Sequence, residues 1–304
     1  MDTILQLVQV QASMMLFLGL GFYCRKIGII NDVSEKSLST AITDVVFPCM
    51  IFHATVVSLE TIDWKAAGTV SIASVILLTG SLYLGKLLFR KYDDSKKPVL
   101  VLGALISNAA FIGLPLVSGT YGVTGVFYTT IYMTVSRVYL WTVGVALFPN
   151  GDCRHPALNV ITHPNSIAMF LAAFYHYLLP FEFPAFVMDA INEVGSMSTV
   201  FCMVMVGSLL PGAKFKDLAG RDVMIFSAVR LLLIPLLLYA IMRIMKLDAM
   251  IIAVMTIIAS TPAPTLGSVL ASRYGADKKL ASCMVLTTTL LSLATIPLLA
   301  LLYC

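Results

Sequence analysis

Residues 108–115 read NAAFIGLP and residues 260–267 read STPAPTLG, so proline and glycine interrupt two long apolar segments at mid-span. Each segment then continues to a Tyr-Gly pair, at Tyr121-Gly122 and at Tyr274-Gly275. A helix break inside a bilayer exposes backbone groups that lipid cannot hydrogen-bond, so the break must line a cavity or be buried in protein. A matched pair of such breaks is typical of the binding site of a secondary transporter.

The composition of the chain is that of a polytopic membrane protein. Of its 304 residues, 59% are hydrophobic and 12% are charged, whereas soluble domains carry about 25% charged residues. Apolar stretches long enough to cross a ~30 Å hydrocarbon core predict ten spans: residues 4–24, 37–58, 66–89, 98–120, 123–148, 163–179, 184–210, 222–245, 249–274 and 280–302. The small net charge of +4 gives no indication of nucleic-acid binding.

Lysine and arginine are distributed unequally between the two sides of the predicted membrane. The loops that follow the odd-numbered spans contain 15 of them, and the opposite side contains 3. The chain is predicted to be a multi-pass protein of the plasma (cell inner) membrane, and the positive-inside rule predicts that both termini lie outside the cytoplasm.

The two halves of the chain share landmarks at an offset of 153 residues. At this offset Cys49-Met50 falls on Cys202-Met203, and Tyr121-Gly122 falls on Tyr274-Gly275. The offset predicts two five-helix repeats, residues 1–148 and 163–304, joined by a short cytosolic connector at 149–162. Because five is odd, the second repeat must have inverted topology, as in many secondary transporters.

The prolines of the two breaks predict an anion site. Pro115 and Pro264 can each occupy the first position of a restarted half-helix, where a missing N–H costs nothing. Both restarts would then direct their N-terminal partial positive charge at the membrane midplane, and free N–H groups there suit a carboxylate. The alternative is that these prolines only kink well-packed helices.

Side chains near the breaks are the candidate binding residues. Asn108 offers both a donor and an acceptor, and the guanidinium of Arg137 matches a carboxylate, although it could instead satisfy helix carbonyls. Phe47 would form a wall of the pocket. The predicted substrate site comprises Asn108, Gly113, Pro115, Arg137, Pro262, Pro264, Thr265 and Phe47.

Three further residues within spans are candidates for ion coupling or for an ion pair: Asp44, His53 and Arg230. Asp44 and Arg230 lie about seven residues from the predicted cytosolic ends of their spans and so share a depth. The alternative for Arg230 is to cap carbonyls at a helix break, and His53 can be a hydrogen-bonded packing residue. No cofactor or metal site is predicted, because the six cysteines form no CxxC pattern, and His155 and His163 lack a ligand set.

Around these breaks the chain resembles the auxin efflux carrier family, which includes plant auxin exporters and shorter bacterial relatives. The resemblance rests on Phe47-Pro48, on residues 111–115 with Tyr121-Gly122, and on the run from Thr261 through Arg273-Tyr274-Gly275. It implies an all-α fold like that of bile-acid symporters and sodium–proton antiporters, with ten helices in two inverted repeats. It further implies that broken helices four and nine cross in a mobile domain of helices three to five and eight to ten, that helices one, two, six and seven form a scaffold, and that the protein is a homodimer.

These features predict an elevator-type carrier for a small organic anion, with the lipid bilayer as its other partner. A sodium- or proton-coupled carrier of the same fold is the nearest alternative, although it needs mid-depth carboxylates and only Asp44 lies well within a span. An intramembrane enzyme is not expected, since the chain has no HExxH, no GxSxG and no paired intramembrane aspartates. A channel is a further alternative, and the sequence does not distinguish import from efflux.

Overall fold

The computed structural model describes residues 2–60, 63–149, 151, 156–178, 183–210 and 218–302, and its regular elements there are all helical. In chain order the α-helices are α1 (Asp2–Lys26), α2 (Asp32–Ala41), α3 (Phe47–Leu59), α4 (Trp64–Leu88), α5 (Lys97–Leu105), α6 (Leu114–Tyr139), α7 (Pro156–Ile161), α8 (Pro164–Leu178), α9 (Ala185–Ser196), α10 (Ser198–Ser208), α11 (Arg221–Ala228), α12 (Ile234–Ile244), α13 (Ala249–Ser260), α14 (Leu266–Arg273) and α15 (Lys278–Ala300).

Seven helical segments of the described residues are long and apolar enough to cross a membrane: Leu5–Lys26, Asp32–Leu59, Trp64–Leu88, Lys97–Gly144, Ala185–Ser208, Arg221–Ile244 and Lys278–Ala300. The segment Lys97–Gly144 has 48 residues, and an unbroken helix of that length would extend about 70 Å, more than twice the membrane core. The all-helical membrane class is confirmed. The count of ten spans and the inverted repeat remain predictions.

Three prolines follow wide π-helical turns at the same spacing. The π turns Ile42–Val46, Ala109–Gly113 and Val229–Leu233 each end two residues before a proline, namely Pro48, Pro115 and Pro235. A proline ring inside a helix clashes with the carbonyl four residues before it and removes a donor. A π turn at that place widens the helix and accommodates both effects. The prolines therefore shape these helices without ending them.

The helices form two sets that pack chiefly within themselves. In the first set, α1 packs along α10, and α3 packs against α8 and α9. In the second, α4 packs against α5 and α6, α12 against α13, and α11 and α14 against α15. Helix α6 also contacts α1 and α3 and so joins the two sets.

Glycine allows the closest approach in the first set. A Cβ atom on Gly21 of α1 would lie 2.0 Å from the carbonyl oxygen of Val204, and one on Gly207 of α10 would lie 2.0 Å from that of Leu18. No side chain fits at either position, so α1 and α10 are in backbone contact. Small residues at such contacts are typical of helix packing in membranes.

Polar contacts join three segments on the predicted cytosolic side of the second set. The Lys96 ammonium donates to Asp222 at the start of α11 over 2.9 Å, and this hydrogen bond raises the pKa of Lys96. The backbone N–H of Asp277, just before α15, donates to the carbonyl of Ser95 at 3.0 Å. The loop after α4 is thereby tied to α11 and α15.

Candidate functional site: the crossing of two broken helices

A cavity of about 540 Å³ lies where the two breaks meet. Five of the eight predicted substrate-site residues line it: Phe47, Asn108, Arg137, Pro264 and Thr265. Its other walls come from α2, α6 and α10 and from the region where α8 begins. The structure thus brings together most of the predicted site from four separate parts of the chain: α3, the first break, α6 and the second break.

The first break has Asn108 at its centre. Helix α5 ends at Leu105, and helical geometry resumes with the π turn Ala109–Gly113. The carbonyl of Asn108 accepts from the N–H groups of Ile112 and Gly113 at 3.2 and 3.3 Å. Its own N–H donates to the carbonyl of Pro262 in the second break at 2.9 Å, so the two breaks are joined through their main chains.

The side-chain amide of Asn108 is a hydrogen-bond donor. The residue is only 4% exposed, and its Nδ2 is buried with no hydrogen-bond partner in the structure. Buried polar groups are nearly always paired with protein, water or a ligand, and an unpaired one costs about 1–3 kcal/mol. An unpaired amide in the wall of a cavity indicates a place where a bound molecule or water accepts a hydrogen bond.

The second break contains two prolines. Helix α13 ends at Ser260, and Thr261 continues in an extended conformation. The N–H of Ala263 donates to the hydroxyl of Thr288 on α15 at 3.0 Å. The N–H of Gly267 donates to the carbonyl of Pro264 at 2.9 Å as α14 begins. The polar backbone freed by the break is therefore satisfied partly by α15 and partly by the first break.

The restarted helices begin at positions that differ from the prediction. Helical turns resume at Ala109, six residues before Pro115, because the Asn108 carbonyl already accepts from Ile112 and Gly113. In the second break α14 begins at Leu266, and Pro264 precedes it. Pro115 therefore lies in the first turn of α6, as its second residue, and neither proline is the first residue of a restarted half-helix.

Both restarted ends contribute to the cavity wall. The first end supplies residues 109–111, and the second supplies Thr265 and Leu266. The first N–H groups of a helix have no acceptor within that helix and carry about half an elementary positive charge between them. The cavity is therefore bordered by two partly positive helix ends, which the sequence predicted with slightly different boundaries.

Charged side chains add to this positive potential. Arg137 of α6 lines the cavity and donates through Nη1 to the hydroxyl of Ser166 at 3.3 Å. Lys36 lies at the solvent-exposed beginning of α2 and also lines the cavity. One carboxylate in the lining, Glu35, is paired with Arg25 at 3.3 Å. The cavity lining thus includes two cationic side chains and one carboxylate, and that carboxylate is already paired.

Aromatic and thioether side chains form the apolar part of the wall. The rings of Phe47 and Phe111 meet edge to face with centroids 5.6 Å apart. The Tyr132 hydroxyl shares a hydrogen bond of 3.0 Å with Ser107. Trp141 and Met133 complete this side. The cavity can hold a molecule that combines an anionic group with an apolar body.

Several lining residues were not predicted from the sequence. Ser107 precedes Asn108 in the break, and its polarity in an apolar run was the one available signal. Asn165 is 2% exposed, and its backbone N–H donates to Nδ1 of His163 at 3.3 Å. Tyr132 lies in α6 and Trp141 in the π turn Leu140–Gly144 that follows it, a stretch rich in aromatic residues where nothing in the sequence distinguishes these two.

Three predicted substrate-site residues shape the crossing and do not line the cavity. A Cβ atom on Gly113 would lie 3.3 Å from Cγ2 of Thr261, so a glycine allows the two breaks to approach. Pro262 contributes its carbonyl to Asn108. Pro115 is buried at the start of α6.

In the described part of the chain, no hydrogen bond or ion pair joins the three residues considered for coupling or for an ion pair. Asp44 is exposed, and its carboxylate accepts from the hydroxyl of Thr43 at 3.1 Å. His53 is half-buried on α3. Arg230 is 1% exposed and donates to two backbone carbonyls. Asp44 and Arg230, both in the part of the chain that is described, form no ion pair with each other.

The residues considered for a metal site are only partly described. His163 lies in the cavity wall, whereas His155, Cys153 and Cys304 lie outside the described residues. Within the described ranges, no group of three or more His, Cys, Asp or Glu side chains could hold a metal ion.

Proteins similar to this chain in sequence are named as transporters. A relative from Methanothermobacter thermautotrophicus named "uncharacterized transporter" is 24% identical over 294 residues, which are 94% of this chain and 95% of the relative. An uncharacterized transporter from Methanocaldococcus jannaschii is 24% identical over 291 residues, 91% and 92% of the two chains. The family model described as "membrane transport protein" matches residues 6–155 and 153–300. Since these matches extend over nearly the whole length, the protein is a membrane transporter and belongs to this family, that of the auxin efflux carriers.

Proposed function

We propose that this transporter carries a small organic anion, a carboxylate, and binds it in the cavity at the crossing of the two breaks. The main support is the buried amide of Asn108, which lines the cavity and whose Nδ2 has no hydrogen-bond partner among the described residues. A carboxylate oxygen is a strong acceptor for such a donor.

The charge of the surroundings supports an anion over a cation. The restarted end at Ala109 and the one at Leu266 both present partial positive charge to the cavity. The Arg137 guanidinium lies in the same wall, and its planar fork matches a carboxylate. Lys36 at the mouth would attract anions from solution.

A moving-domain mechanism fits the way the helices pack. The cavity lies between the two packing sets: Phe47 and Met205 belong to the set of α1, α3 and α8–α10, whereas Asn108 and Arg137 belong to the other. We propose that the first set is the scaffold, and that the second is the transport domain of spans three to five and eight to ten. Sliding of the second set against the first would move the bound anion across the membrane, as in an elevator-type carrier, here with ten spans.

The mouth of the cavity indicates the side to which this conformation opens. Glu35 and Lys36, at the beginning of α2, line the cavity, and the positive-inside rule assigns this end to the cytosol. We propose that both termini lie outside the cytoplasm and that the structure is open to the cytosol.

A sodium- or proton-coupled exchanger is less well supported. Such an exchanger needs a carboxylate at mid-depth that can bind and release the cation. The carboxylate in the cavity lining is that of Glu35 at the mouth, already paired with Arg25, and Asp44 is exposed. These positions do not offer a mid-depth cation site in the cavity.

A thermal-shift experiment tests the proposal. The purified transporter is heated with acetate, malonate, succinate or benzoate, and separately with the neutral amides of the same acids. A ligand at one hundred times its dissociation constant stabilises the folded state by about 2.7 kcal/mol. We expect at least one acid to raise the melting temperature while its amide does not. Equal effects of acids and amides would contradict an anion site.

A further inference from the structure

Arg230 is a buried cation without a carboxylate partner in the described part of the chain. It lies in the π turn Val229–Leu233, between α11 and α12, and is 1% exposed. Its Nε donates to the carbonyl of Thr261 at 3.1 Å, and its Nη1 donates to the carbonyl of Ala104 at 2.9 Å. A charge buried this deeply is costly unless other groups compensate it.

The two carbonyls are the ends of the two interrupted helices. Ala104 is in the last turn of α5, where carbonyls have no intrahelical donor. Thr261 directly follows the last residue of α13. One guanidinium therefore links the carbonyl end of the first half-helix to that of the second, next to the point where Asn108 bonds Pro262.

The charges at this junction nearly balance. A helix carries about half an elementary negative charge at its carbonyl end, so two such ends together approach one negative charge. The guanidinium supplies one positive charge in the planar geometry that suits two acceptors. The carbonyl ends are thereby neutralised from within the protein, and the N-terminal ends at Ala109 and Leu266 keep their positive potential in the cavity.

We infer that Arg230 is a positioning residue for the anion site, a fixed internal cation that holds the two carbonyl ends together. It acts through the helix breaks and does not line the cavity. Without it, the carbonyl ends would repel each other and their negative potential would reach the cavity. The effect on anion binding rests on the proposed function, whereas the effect on the junction does not.

Chemical rescue tests the effect on the junction. Arg230→Ala leaves a hole of the shape of a guanidinium between two carbonyls, and the exposed Arg243 gives the matched control, Arg243→Ala. We expect Arg230→Ala to melt well below the wild type and to recover part of that loss in millimolar guanidinium chloride, but not in sodium chloride at equal ionic strength. Arg243→Ala should melt like the wild type. A wild-type melting temperature for Arg230→Ala, or equal recovery in the two salts, overturns the inference.

A second variant tests the effect on the site and remains useful if Arg230→Ala does not fold. Arg230→Lys keeps the charge but lacks the planar fork, so the two carbonyl ends are held less well. We expect it to bind the most stabilising carboxylate of the wild type about tenfold more weakly, although the lysine touches no ligand. Wild-type affinity in Arg230→Lys overturns the positioning role.

The results of the two experiments distinguish failure of this inference from failure of the proposed function. If no carboxylate stabilises the wild type but guanidinium rescues Arg230→Ala, then the anion site fails and the role of Arg230 at the junction stands. If carboxylates bind and Arg230→Ala is not rescued, the anion site stands and the role of Arg230 fails.

Discussion

The backbone N–H of Asn108 donates to the carbonyl of Pro262 across 2.9 Å, so each broken helix supplies a hydrogen-bond partner for the other. The same crossing is braced by Arg230, which bonds Ala104 on one side and Thr261 on the other. Because neither link uses the side chain of Asn108, a substitution of that side chain leaves both intact. The amide of Asn108 can thus be tested separately from the crossing that holds it.

Asn108→Ala should weaken anion binding without lowering the stability of the ligand-free protein. The variant removes a buried donor that has no partner in the described part of the chain, so its loss relieves a desolvation cost. Hydrogen bonds to charged groups contribute about 1.5–3 kcal/mol, so affinity for the most stabilising carboxylate should fall roughly tenfold or more. Calorimetric titration measures the affinity, and thermal melting measures the stability. Asn192→Ala, on the exposed face of α9, is the control. Unchanged affinity in Asn108→Ala would remove this residue from the site.

Arg137→Ala should also weaken binding, and Arg137→Lys should lie between that variant and the wild type. The guanidinium lines the cavity, where its charge and fork favour a carboxylate, and a lysine would retain only the charge. The titration used for Asn108→Ala applies, with the exposed Arg243→Ala as the control. If both Arg137 variants bind like the wild type, Arg137 serves only to anchor Ser166.

Gly80→Ala should stabilise the protein, whereas Gly113→Ala should not. A Cβ atom on Gly113 would lie 3.3 Å from Thr261 in the second break, whereas one on Gly80 in α4 would have no neighbour within 4 Å. Alanine within a helix is favoured over glycine by about 0.8–1.0 kcal/mol, so Gly80→Ala should raise the melting temperature. Gly113→Ala should lose that benefit to crowding, and Gly113→Val should melt lower still. A gain for Gly113→Ala equal to that for Gly80→Ala would show that the crossing tolerates separation.

The proposed orientation is tested with single cysteines on opposite sides. Val33 and Glu60 are exposed residues near the two ends of the segment Asp32–Leu59. In a variant whose six native cysteines are replaced, a membrane-impermeant thiol reagent applied to intact cells should label Glu60→Cys. It should label Val33→Cys only after lysis. The reverse pattern would place both termini in the cytoplasm.

The sequence predicted where the helices break but not how the breaks are built. Proline and glycine mark the interruptions, because they remove donors or relax the backbone, and this is visible in residues 108–115 and 260–267. The restart at Ala109 was not predictable, since it depends on which N–H groups reach the Asn108 carbonyl.

The partners of Arg230 show a second limit of reasoning from sequence. Asp44 was considered because it shares a predicted depth with Arg230, but depth along a helix does not specify the direction in which a side chain points. Asp44 faces outward, and Arg230 faces backbone carbonyls 126 and 31 residues away in the chain. Backbone acceptors leave no compositional signal. The capping alternative for Arg230 describes these contacts, although the sequence could not name the carbonyls.

Uptake into proteoliposomes measures whether the protein carries an anion through the site at Asn108. The carboxylate that stabilises the wild type most is supplied in labelled form to vesicles containing the wild type, Asn108→Ala or the control Asn192→Ala. We expect saturable uptake by the wild type and by Asn192→Ala, and uptake by Asn108→Ala at least about tenfold lower at sub-saturating concentration. Uptake that rises without saturation, or that is equal in the wild type and Asn108→Ala, would contradict a carrier whose anion site lies at the crossing of the two broken helices.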